Sequence, residues 1–172
     1  VPEILDPLLA ARQRLLDATG GAPMVVRSSA LVEDRFGSSF AGQFESVLNV
    51  PREETATAYK AVLASQFTPR ALYYCSAHGY SYGEMGMGVL VMGMVESRAA
   101  GVFYSVDPAS PERGDRVINA VWGLGTLAVG GDVSPDVLRV PPGAKPVIRV
   151  GDKVRMEVCL PGGGTELRET PE

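Results

Sequence analysis

Residues 26–50, VRSSALVEDRFGSSFAGQFESVLNV, decide how the rest of this chain is read. Arg27 leaves a short apolar run (Met24, Val25, Val26), and two serines follow it at once. An acidic pair, Glu33 and Asp34, comes next. A small-residue loop then ends in Gly42, Gln43 and Ser46 before a second apolar run. The pattern predicts a strand, a polar loop and a second strand, with a guanidinium at one end. The loop offers hydroxyls, an amide and bare backbone N–H groups. A polyphosphate needs those groups: arginine meets oxygen anions with a planar donor fork, and small residues let backbone amides close on phosphates as a nest.

The ordered run RSSA…ED…SFAGQ…LNV resembles the ATP-binding domain shared by phosphoenolpyruvate synthase and pyruvate phosphate dikinase. Two later blocks extend the resemblance. Residues 89–108, VLVMGMVESRAAGVFYSVDP, are similar to the family's hinge strand followed by GVxFSxDP, with Met92 where glutamine is usual. Residues 117–136 are similar to INAxWGLGExVVxGxVxPD, the form found in the synthases, with Thr126 in place of glutamate. The resemblance implies an ATP-grasp-like nucleotide-binding domain and ATP as ligand. It implies that Arg27, with Ser28 beside it, contacts the nucleotide phosphates. Gly42, Gln43 and Ser46 match the family's phosphate loop, Ser46 standing where threonine is more usual. The hinge, Met92, Gly93, Met94 and Val95, would meet the adenine through its backbone. A methionine can pack on a purine face but lacks an amide's directional hydrogen bonds. A methionine-rich strand is also ordinary core, and that is the expectation for these side chains.

In the resembling family, ATP with magnesium phosphorylates a histidine on a separate carrier domain of the same parent chain. That domain passes the phosphate to pyruvate, giving phosphoenolpyruvate, AMP and phosphate. The family's ATP-contacting lysine motif has no counterpart at Lys60, Lys145 or Lys153. Its metal ligands are expected outside this fragment, so none is assigned here, and Glu33 and Asp34 are read as solvated. The chain is therefore read as 1–172 of a larger enzyme, inactive alone. Its sole histidine, His78, sits in AHGY near a predicted helix end and is read as a cap. Rival readings keep the fold and change the acceptor (pyruvate phosphate dikinase, an antibiotic phosphotransferase, a glucan dikinase), or make the chain a non-catalytic binding module.

Bulk properties agree with a soluble globular domain. Of 172 residues, 45% are hydrophobic and 21% charged, within the ordinary range. A net charge of −4 argues against a nucleic-acid surface while permitting one local basic site. No apolar run reaches the ~18 residues of a membrane helix. Cys75 and Cys159 fit no metal spacing and read as free thiols of a reducing, cytoplasmic compartment.

Apolar spacing predicts a helix over 2–19, then strands at 24–28 and 46–50 in an N-terminal segment, 1–50. A helical insert follows at 51–80, with Pro51 opening one helix and Pro69 a second. The segment 81–160 holds strands at 87–95, 101–106 and 116–121 around the glycine-rich 122–136. A closing meander (137–140, 146–150, 153–158) turns at Gly151-Asp152. Residues 161–172 read as a frayed tail. Helices between early and late strands predict α+β, with a mainly antiparallel sheet and helices on one side.

Overall fold

The structure is a computed structural model that describes residues 2–30, 44–81, 83 and 86–171. The chain divides into two compact units, Val1–Val95 with Pro161–Gly164, and Glu96–Leu160 with Thr165–Glu172. Helices and antiparallel ladders make it α+β.

In the first unit, α1 (Pro2–Ala18) precedes β1 (Met24–Ala30), β2 (Ser46–Val47), α2 (Thr55–Ala64), α3 (Pro69–Ala77) and β3 (Met87–Gly93). The three strands form an antiparallel sheet in the order β2-β1-β3. Successive β1 side chains point to opposite faces. Met24, Val26 and Ser28 are buried while Arg27 and Ser29 are exposed. The buried face packs on α2: Val26, Val50, Ala58 and Val62 form one cluster, with Val47, Val89 and Val91 against it. Burial of each valine contributes about 1.5–3 kcal/mol. Of the two predicted helix starts, Pro69 opens α3, whereas Pro51 precedes a 3-10 turn (Arg52–Glu54) and α2 begins at Thr55. Thr68 accepts the Ala71 N–H through its hydroxyl at 3.3 Å, and Pro69 occupies the first turn of α3.

The second unit holds β4 (Ala99–Tyr104), β5 (Arg116–Trp122), α4 (Thr126–Gly130), β6 (Asp136–Val140), β7 (Val147–Arg149), β8 (Arg155–Cys159) and β9 (Thr165–Glu169). Four of its strands form the antiparallel sheet β4-β5-β6-β7, and β8 pairs with β9. Val121, Leu127 and Val133 make its core beneath α4.

Two sequence expectations are corrected here. Gly151-Asp152 does not join β7 to β8 as a hairpin. The Gly151 N–H and the Lys153 ammonium both donate to Asp136 Oδ1, which draws this turn back to the start of β6. Nor does all of 161–172 fray, because residues 165–169 form β9. Positive φ at Gly163 and Gly164 reverses the chain so that Glu157 meets Leu167.

Candidate functional site

The face of the first sheet opposite α2 is open. Register sets Arg27 between Ser46 and Leu90, and Val25 beside Met92. Arg27, Ser46, Met92, Gly93, Met94 and Val95 line one groove of about 310 Å³, together with Val25 and Leu48. The groove's only charged side chain is that of Arg27. Among the described residues no acid or carbonyl pairs with it. An exposed, uncompensated guanidinium beside a hydroxyl and apolar walls is a receptor for an oxygen anion.

One predicted site side chain falls away from the groove, and one expected to be core lines it. Ser28 is buried on the α2 face at 8% exposure, because strand alternation turns it away from Arg27. Met92 is not core: alternation along β3 puts Leu90 and Met92 on the open face, 46% and 39% exposed. Gly42 and Gln43, like Glu33 and Asp34, lie outside the described residues.

The hinge backbone is partly committed. The Met94 N–H donates to the Pro23 carbonyl at 2.6 Å. In an antiparallel ladder, hydrogen-bonded and non-bonded pairs alternate. Met92 therefore faces β1, whereas Gly93 and Val91 turn their N–H and C=O outward. β3 is an edge strand. Gly93, at the groove, is thus the residue whose backbone is available to a ligand.

In the second unit the motif residues serve structure. Gly123 has φ +73°, and a Cβ there would lie 2.2 Å from the Glu157 carbonyl oxygen. The neighbouring Leu124 N–H donates to that oxygen at 2.9 Å. Thr126 and Thr165 both donate hydroxyls to the Glu157 carboxylate. Asp107, of the DP pair, is 4% exposed. It accepts the Ala109 N–H at 3.0 Å and pairs with Arg139 at 2.5 Å, as an ion contact rather than an aligned hydrogen bond. Arg139 also reaches the buried Asp115 at 3.4 Å. Burial, then Glu96 and Glu157, push the Cys159 thiol above its usual pKa, which disfavours the thiolate. The lysine–carboxylate contact, then the Gly151 N–H, hold Asp136 below the usual carboxylate range.

His78 ends α3, with Nδ1 2.9 Å from the Tyr74 carbonyl and its ring stacked on Tyr74 at 4.1 Å. That geometry is a cap. Sequence reading missed Arg12, a buried cation in α1, although its spacing from Leu8, Leu9, Leu15 and Leu16 puts it on the apolar stripe. Burial, then Arg52, lower its pKa from the ordinary arginine value, against an opposing effect of Glu53. Among the described residues, no helix is long and apolar enough to cross a membrane.

The family model described as pyruvate phosphate dikinase, AMP/ATP-binding domain, matches residues 2–172. Rifampicin phosphotransferase from Streptomyces sp is 41% identical over 147 residues, which cover 85% of this chain and 17% of that protein. Phosphoenolpyruvate synthase from Aeropyrum pernix is 37% identical over 160 residues, 85% of this chain and 20% of that protein. A probable phosphoenolpyruvate synthase from Methanocaldococcus jannaschii is 35% identical over 152 residues, 87% and 13%. The chain spans 13–20% of the length of these relatives. It belongs to the pyruvate phosphate dikinase AMP/ATP-binding domain family.

Proposed function

We propose that this chain, as a member of that family, binds ATP in the groove on the open face of β1 and β3. The intact protein would then be a phosphoenolpyruvate synthase-like phosphotransferase. The observation that carries this is one groove holding the Arg27 guanidinium, without a counter-ion among the described residues, beside the Ser46 hydroxyl and the outward backbone of Gly93. Arg27 would neutralise and orient the phosphates, since phosphoryl transfer depends mostly on positioning and charge stabilisation. Ser46 would donate to a phosphate oxygen, with Gly42 and Gln43 as the rest of the phosphate loop. Gly93 would hydrogen-bond the purine edge while Met92 packs on its face. This is an ATP-grasp-like use of a sheet, in a cytoplasmic enzyme.

Bound ATP would supply the phosphoryl group, and this chain's residues would hold it in place for a histidine on the parent's carrier domain. Magnesium is expected with the nucleotide. Among the described residues, however, no three His, Cys, Asp or Glu side chains cluster as a metal site. A second reading, phosphoryl transfer to an antibiotic, has support from the 41% identity to rifampicin phosphotransferase. It uses the same ATP groove and differs only in the acceptor.

Calorimetric titration with ATP and magnesium tests the groove, on this chain and on the full-length protein. Arg27→Ala should weaken binding about 10–100-fold, the equivalent of one charge-assisted phosphate contact. Unchanged affinity in that variant would sink the assignment. No binding by the full-length protein would favour a non-catalytic module.

A further inference from the structure

Elsewhere in the first unit, α1 carries a buried cation that the ATP reading does not use. Arg12 is 5% exposed. One of its amino groups donates to the Val50 carbonyl at 3.0 Å, while Nε and Nη1 are buried with no partner among the described residues. Leaving two donor nitrogens of a charged group, with three N–H bonds between them, unpaired is strongly unfavourable. Arg12 lines a cavity of about 370 Å³ together with Gly21, Asn49, Pro51, Glu53 and Gly163.

The far wall of that cavity is built rather than incidental. Asn49, itself at φ +50°, donates through Nδ2 to the Gly164 carbonyl at 2.7 Å and accepts the Gly164 N–H at 2.9 Å. Gly163 lies so close to Pro51 that a Cβ would come within 2.7 Å of its ring. Charge near the cavity favours an anion. Arg52 adds a second guanidinium, anchored on the Gln13 side-chain oxygen. Among the described residues lining the cavity the one carboxylate is that of Glu53, which is exposed to solvent.

We propose that this cavity is an accessory site for a small oxyanion, a phosphate or a short carboxylate, held by the unused Arg12 N–H groups. It shares none of the Arg27 groove's lining residues. The site therefore stands or falls independently of ATP binding there.

The test is a nitrogen-edited NMR titration of the chain with inorganic phosphate, and separately with acetate, against chloride at matched ionic strength. Saturable shifts at the amides of Gly21, Asn49 and Gly163 are expected. Whichever anion saturates at lower concentration identifies the class. Arg12→Leu should weaken the response at least about ten-fold and Arg27→Ala should leave it unchanged. Shifts that survive Arg12→Leu, that vanish in Arg27→Ala, or that are absent overturn the proposal. If Arg12→Leu does not fold, the wild-type map decides: shifts confined to Ser46 and Met94 would count against the site.

Discussion

The two units treat charge in opposite ways. In the second, cations are matched by protein acids: Arg139 with Asp107 and Asp115, Arg113 with Asp115, Lys153 with Asp136 and Arg168 with Glu166. In the first, among the described residues, Arg27 stands in an open groove without a partner, and Arg12 is buried with only a backbone carbonyl. A cation already matched by a protein acid is spent on folding, whereas an unmatched one is available to a ligand. The same arginine chemistry therefore predicts stability effects in one unit and binding effects in the other.

The largest effect that could break this contrast is in the second unit. Asp107→Ala should destabilise it by about 2–3 kcal/mol, below the full range for a buried pair because Arg139 is partly solvated. A urea titration reads this directly, and a loss under 0.5 kcal/mol would contradict the structural role. Arg27→Ala is the converse. Its stability should stay within about 0.5 kcal/mol of wild type while ATP affinity falls about 10–100-fold, so denaturation and calorimetry must disagree. Asn49→Ala removes a buried hydrogen bond at a positive φ and should cost about 1–2 kcal/mol, with loss of phosphate-induced shifts at Gly163.

The smallest effect is electrostatic. Asp136 has a depressed pKa in the folded state, so its stabilisation is complete above the unfolded carboxylate value, about 4. It is lost as pH falls through the lower folded value. Asp136→Asn should remove about 1 kcal/mol at pH 7 and flatten the acid limb of the stability profile. A limb of unchanged slope would show that the Lys153 contact contributes nothing.

Local patterns carried much of the fold. Alternation around Arg27, the glycine stop after α1, and Pro69 after Thr68 are short-range signals, and the elements they mark stand where the pattern put them. What escaped depends on contacts distant in the chain. Asp136 captures Lys153, diverting the predicted turn, and β9 is ordered by pairing with β8 although its own composition is polar. At the groove, Arg27, Ser46 and Met92–Val95 are brought together, whereas Ser28 faces the other way. Ser28 and Met92 were both assigned without asking which side of a strand they occupy, a question the two-residue period could have answered. Arg12 left a signal in its helical spacing, but only the Asn49–Gly164 contact shows what encloses it.

The tight approach at Gly123 bears on how relatives should be recognised. With the Glu157 carbonyl occupying the space where a side chain would begin, replacement at this position is blocked by volume before any nucleotide is considered. The glycine after Trp122 thus marks a backbone junction, and it would persist in descendants that had lost ATP altogether. A search keyed on WGLG would gather such silent descendants along with working enzymes, whereas, on the role proposed for Arg27, a search keyed on that residue would tell them apart.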